Sequence, residues 1–172
     1  VSGYVLVLSG PNLGSLGARD PSIYGTMTLD ELLARTTQAA ARHDLGVRHV
    51  HSNHEGGLID AIEGREPGCV GVIANLGALT HTSVAIHDAL EVVGVPVVEV
   101  HLSNPAAREP FRHVSAIAPV TAGAIAGFGP LSYDLAVEAI APADPLGWRA
   151  APRPGSTEPI ATRRPGSRGG AA

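Results

Sequence analysis

The chain contains no lysine; all twelve of its basic residues are arginine. Without an ε-amine there is no lysine Schiff base, no lysine-anchored pyridoxal phosphate and no phosphate-loop lysine. There is one cysteine, Cys69, set in an apolar run. That excludes a disulfide framework and reads as packing rather than as a nucleophile. Aromatics make up only 3% of the residues, so each one is worth locating. No apolar stretch reaches the roughly 20 residues of a membrane-spanning helix. The first residues form a short apolar strand pattern with neither a basic region nor a cleavage site. A soluble, cytoplasmic protein with no signal peptide is the expectation.

The 172 residues suffice for one domain with a sizeable core. Charge divides the chain in two. Residues 1–140 carry seven Arg against fourteen Asp and Glu, a net of −7, and residues 141–172 carry five Arg against two acids, a net of +3. So acidic a body is a poor nucleic-acid binder. The second part is dominated by Pro, Gly, Ala, Ser and Arg, and is expected to be a disordered, solvated tail.

Within residues 1–140, strand and helix patterns alternate. Val5–Ser9 reads as a buried strand ending at Gly10-Pro11. Thr28 and Glu31 form a capping-box pattern that opens a helix with Leu29, Leu32, Leu33 and Thr36 on one face. Gly46 is expected to stop it, with a second strand over Val47–His51. Leu58, Ile59 and Ile62 mark a short helix, and the apolar run Cys69–Ala74 a third strand. Thr82 or Ser83 caps a helix carrying Val84, Ile86, Ala89, Leu90 and Val93. Strands over Val95–Val100 and Val120–Ala126 and a helix over Leu131–Ile140 complete the set. This alternation predicts an α/β fold with a doubly wound, five-stranded parallel sheet, flavodoxin-like, in the order 2-1-3-4-5.

Ligands of such sheets bind beyond the carboxyl ends of the strands. The segments there hold Asn12, Arg19 and Tyr24, then Ser52 to Glu55, then Asn75, Thr80 and His81, and finally Glu99, His101, Ser103, Asn104, Arg108 and Arg112. Three of the body's seven arginines thus converge on one rim, which an acidic domain has little other reason to arrange. Arginines with Asn and Ser donors suit an anionic, hydroxylated ligand. A tyrosine beside an arginine can supply a phenolate base. Glu99, two residues from His101 on one strand face, can orient and charge the imidazole as an acid. One base and one acid suit an elimination or an isomerisation.

Other patterns fall short. Gly127-Phe128-Gly129 lacks the third glycine of a dinucleotide loop and reads as a tight turn. His54-Glu55 begins like a zinc-protease motif, but position 58 is Leu. The remaining histidines lack ligand spacing, so no metal site is expected.

The motifs themselves carry a resemblance. Gly-Pro-Asn-Leu at 10–13, Leu-Gly-Ala-Arg at 16–19 and Tyr-Gly at 24–25 are followed by Ser-Asn-His-Glu-Gly at 52–56, Thr-His-Thr-Ser-Val-Ala at 80–85, Glu-Val-His-Leu-Ser-Asn at 99–104 and Ala-Arg-Glu-Pro-Phe-Arg at 107–112. In these, and over nearly all of residues 4–140, the sequence resembles the type II 3-dehydroquinate dehydratases of the shikimate and quinate pathways. The resemblance implies anti elimination of water from 3-dehydroquinate through an enolate, without cofactor or metal. It implies Tyr24 as the base, with Arg19 and Arg108 holding it as phenolate, and Asn12 positioning a water on the enolate. It implies His101, set by Glu99, as the acid. Asn75, Leu102 and Ser103 would bind the carboxylate end, the last two partly through backbone N–H groups, and His81 and Arg112 the ring hydroxyls. Asp88 would reach into a neighbouring subunit of a homododecamer built from trimers. Ser9, Leu76, Leu79 and Pro105-Ala106 depart from the usual family pattern. Two other readings compete with this one: a flavin or nucleotide binder of the same fold, and a catalytically silent scaffold.

Overall fold

The computed structural model describes residues 2–18 and 25–141. Arg19 and Tyr24, and the expected disordered tail beyond Ala141, lie outside the described residues.

Alternation along each strand builds the two faces of the sheet. In β1 (Gly3–Ser9), Val5 and Val7 point into one apolar cluster while Tyr4, Leu6 and Leu8 point into the other. The side chains of a strand alternate in this way because the backbone is pleated with a period of two. The first cluster is closed by α1 (Leu29–Ala41) and α4 (Leu131–Ile140), through Leu32, Ala39, Ala40, Tyr133, Ala136 and Val137. The second is closed by α2 (Glu55–Glu63) and α3 (Val84–Glu91), through Leu58, Ile62, Ile86 and Leu90. Helices on both faces allow the central strands to be apolar throughout.

The remaining strands are β2 (Leu45–His51), β3 (Cys69–Asn75), β4 (Val97–His101) and β5 (Gly123–Ala126). They form one parallel sheet in the order β2-β1-β3-β4-β5, as expected. The register places Ser9 beside both His51 and Asn75, and Ala74 beside Glu99. The polar strand ends therefore gather at the middle of the sheet's carboxyl edge. Gly10 follows directly: a Cβ there would come within 2.2 Å of the Leu76 carbonyl oxygen, so only glycine lets the two loops pass.

Local signals explain most of the boundaries. The Thr28 hydroxyl accepts from the Glu31 backbone N–H, and the Glu31 carboxylate accepts from the Thr28 N–H, closing the capping box. Ser83, rather than Thr82, caps α3 by accepting from the Ile86 N–H. Gly127 and Gly129 have positive φ in a turn, as expected of that pair.

Some expectations are corrected. Gly46 does not end α1; it lies within β2, and the reversal is made by Asp44 in the left-handed region at φ 56°. Asp tolerates that conformation because its side chain can bond locally. The fifth strand begins at Gly123 and not at Val120. Residues Ala118–Val120 form a 3₁₀ turn around Pro119, which has no N–H to give to a ladder. Likewise β4 starts after Pro96, at Val97.

Candidate active site

A cleft of about 100 Å³ opens at the carboxyl edge of β1, β3 and β4. Asn12, Asn75, His81, His101, Leu102, Ser103, Arg108 and Arg112 all line it, so eight of the twelve expected site residues meet in one place. Glu99 lies behind that lining and is only 3% exposed. Asp88 is exposed on α3 and does not line its own chain's cleft. Arg19 and Tyr24 lie outside the described residues.

The best-defined unit is built on the end of β4. Glu99 and His101 point the same way, because they are two apart on one strand. The Glu99 Oε1 atom is 2.7 Å from His101 Nε2. The other carboxylate oxygen accepts a 2.7 Å hydrogen bond from the Ser115 hydroxyl. Both oxygens of a buried carboxylate are thereby satisfied, as burial of a charge requires. Since Nε2 is committed to Glu99, Nδ1 is the His101 nitrogen left for the cleft.

His81 stacks on His101, with ring centroids 6.3 Å apart and planes 9° from parallel. Its Nδ1 lies 2.7 Å from the Val114 carbonyl, to which it donates, leaving Nε2 for a ligand. One short segment thus sets both rings, with Val114 holding His81 and Ser115 holding Glu99. The Ala116 N–H bonded to the Thr80 carbonyl ties that segment down at 2.8 Å.

The polar rim is equally organised. Asn12 sits in the left-handed region at φ 68°, and its N–H donates to Asn53 Oδ1 at 2.9 Å. This joins the loops after β1 and β2. The Arg112 guanidinium donates to the Glu109 carboxylate at 2.8 Å, and Arg108 is 3.5 Å from the same oxygen. The backbone N–H of Glu109 and the Arg112 guanidinium hold the Glu109 carboxyl below its usual range. Glu109 therefore aligns two arginines that would otherwise repel each other.

Ser115, Glu109 and Tyr133 were not among the expected site residues. Glu109 sits inside a quoted motif, between the two arginines, and that placement was its only signal. Ser115 and Tyr133 had none, because their partners lie 16 and 58 residues away along the chain. Among the described residues, one group has metal-ligand proximity: His87, Asp88 and Glu91, whose ligand atoms all lie within 4.8 Å of one another. It lies on α3 and not in the cleft.

Known proteins place this geometry in a family. The family described as dehydroquinase class II matches residues 3–141. The chain belongs to this family. The 3-dehydroquinate dehydratase of Azorhizobium caulinodans is 52% identical over 145 residues, covering 84% of this chain and 98% of its own length. That of Gloeothece citriformis is 55% identical over 136 residues, covering 79% of this chain and 90% of its own. A solved structure of type II dehydroquinase from Propionibacterium acnes superposes with a TM-score of 0.75 at 41% identity, over 82% of this chain and 97% of the other. As a class II dehydroquinase the chain carries the family's fold. Ser9, which replaces the more usual Asn, is fully buried and is hydrogen-bonded to His49 at 3.0 Å. Leu76 is fully buried in the second cluster, and Leu79 packs against it.

Proposed function

We propose that this class II dehydroquinase removes water from 3-dehydroquinate to give 3-dehydroshikimate with Tyr24 as base and His101 as acid. The reaction makes the chain a hydro-lyase, and its relatives carry the name 3-dehydroquinate dehydratase. The phenolate of Tyr24, held by Arg19 and Arg108, takes a proton from C2. The electrons pass into an enolate, which a water positioned by Asn12 stabilises. Collapse of the enolate expels the hydroxyl, which leaves as water with a proton from His101 Nδ1. Asn75 and the Leu102 and Ser103 backbone receive the carboxylate, and His81 and Arg112 the ring hydroxyls. Acid, base and anion-binding groups all come from side chains and backbone.

The observation that carries this reading is the 2.7 Å pairing of His101 Nε2 with buried Glu99. A buried carboxylate on Nε2 fixes the orientation of the ring and leaves Nδ1 as the nitrogen that can hand a proton to a leaving group. The product contains a conjugated enone, so its ultraviolet absorbance reports turnover directly. 3-Dehydroquinate should be converted with that signal. His101→Ala should lower kcat by about 10²–10⁴-fold with a smaller effect on KM. An unchanged kcat with raised KM would reduce His101 to a binding role.

The assembly belongs to the same proposal. Asp88 is exposed and does not line its own chain's cleft, which suits a side chain that completes a neighbour's site in a homododecamer. A cytoplasmic location and a place in the shikimate or quinate pathway accompany the activity. Among the described residues no helix is long and apolar enough to cross a membrane.

A further inference from the structure

Beneath the cleft, Asn75 leads into polar groups that no step of the reaction uses, Tyr133, Ser9 and His49. Asn75 Nδ2 donates to the Tyr133 hydroxyl at 2.9 Å. The Ser9 side chain is the other polar group beside that hydroxyl. The Ser9 hydroxyl lies 3.0 Å from His49 Nε2. Asn75 is 3% exposed, and Ser9 and Tyr133 are fully buried. Tyr133 is the largest wholly buried side chain among the described residues, and its surroundings are otherwise aliphatic. A phenol placed there must have its hydroxyl satisfied, or the burial is costly.

One contact among these groups has a defined donor, the Asn75 amide nitrogen on the Tyr133 oxygen. His49 is half-buried, and desolvation followed by repulsion from His51 lowers its pKa. The Tyr133 oxygen accepts from Asn75 Nδ2, and Ser9, the other polar group beside it, is itself hydrogen-bonded to His49. One amide N–H is therefore fixed on Tyr133, while the second N–H and Oδ1 are left for the cleft.

We infer that Tyr133, backed by Ser9, is a positioning residue that fixes the orientation in which Asn75 meets the substrate's carboxylate. The inference rests on the proposed role of Asn75. Tyr133 never touches substrate, so its loss should weaken binding and leave the chemical step largely alone. The contribution should be that of one well-aimed hydrogen bond to an anion, roughly tenfold.

The test is steady-state kinetics and thermal unfolding on the full chain carrying Tyr133→Phe, Asn75→Ala and both changes. Tyr133→Phe should raise KM about tenfold, with kcat within about threefold. The double variant should be no worse than Asn75→Ala alone, because the two act as one unit. A purely structural Tyr133 would instead lower the unfolding temperature without raising KM, which would overturn the inference. If Asn75→Ala raises KM and Tyr133→Phe does not, the positioning role is wrong while the Asn75 reading survives. If Asn75→Ala itself leaves KM unchanged, the Asn75 reading fails and the inference falls with it. Should Tyr133→Phe not fold, Ser9→Ala removes the other polar group beside the Tyr133 hydroxyl. It should raise KM several-fold in the same way, and an unchanged KM would overturn the inference.

Discussion

Replacing Glu99 by glutamine isolates the charge behind His101. Glutamine has nearly the shape of glutamate, so the side chain can keep its place at the end of β4. Its amide oxygen can stay on His101 Nε2, now at 2.7 Å from the carboxylate. Its amide nitrogen can face the Ser115 oxygen, which already accepts from the Ala118 N–H at 3.0 Å. What disappears is the negative charge and the acceptor of the Ser115 hydroxyl. A buried hydrogen bond to a charged group contributes about 1.5–3 kcal/mol. At about 1.4 kcal/mol per factor of ten, Glu99→Gln should lower kcat about 10- to 150-fold. The loss should stay within that of His101→Ala, since Glu99 acts only through the ring. Ser115→Ala keeps the charge and loosens its aim, so its loss should be smaller than that of Glu99→Gln. The assay is initial rate from enone absorbance at saturating substrate, with folding checked by unfolding temperature. A Glu99→Gln enzyme within about threefold of the wild-type kcat, well below the loss of one charged hydrogen bond, would refute the reasoning.

Two further outcomes are expected. Truncation after Ala141 should leave both the rate and the assembly mass by light scattering intact, since none of the quoted motifs lies in residues 142–172; a large loss of either would show that the tail packs on the body or joins subunits. Stability should fall at alkaline pH because burial pushes the Tyr133 pKa up to about 12. Its unfolded value is about 10, so the stabilisation is complete below pH about 10 and is lost as pH rises towards about 12. Unfolding temperatures measured across that window should drop less steeply in Tyr133→Phe, and equal slopes would contradict the assignment.

Much of this was legible along the chain, for identifiable reasons. The Thr28–Glu31 capping box is local, and the apolar runs of β1, β3 and β4 carry their burial in their composition. The sheet order followed from the alternation of strands and helices. Glu99 and His101 could be paired because a strand puts alternate residues on one side. Boundaries failed where two local signals competed. Gly46 looked like a helix stop, yet Asp44 takes the left-handed turn two residues earlier. Val120 looked like strand, yet Pro119 beside it cannot join a ladder. Ser115 and Tyr133 escaped because nothing nearby in sequence marks them; only the fold brings Ser115 to Glu99 and Tyr133 to Asn75. Ser9 stood out as a departure from the family pattern, but its partners on β2 and α4 appear only once the sheet is assembled.

The division of labour between base and acid is tested most directly at Tyr24. An unperturbed tyrosine has a pKa of about 10, so a phenolate at neutral pH needs the help of a cation such as Arg19. Tyr24→Phe keeps the ring and removes only the proton acceptor. Single-turnover kinetics, with substrate binding measured separately, should show turnover nearly abolished while 3-dehydroquinate still binds. Arg19→Ala should also be severely impaired, and the double variant should lose far less than the product of the single losses, because the two residues act together. A Tyr24→Phe enzyme that kept a large share of the wild-type single-turnover rate would contradict the account, since some other group would then be taking the proton.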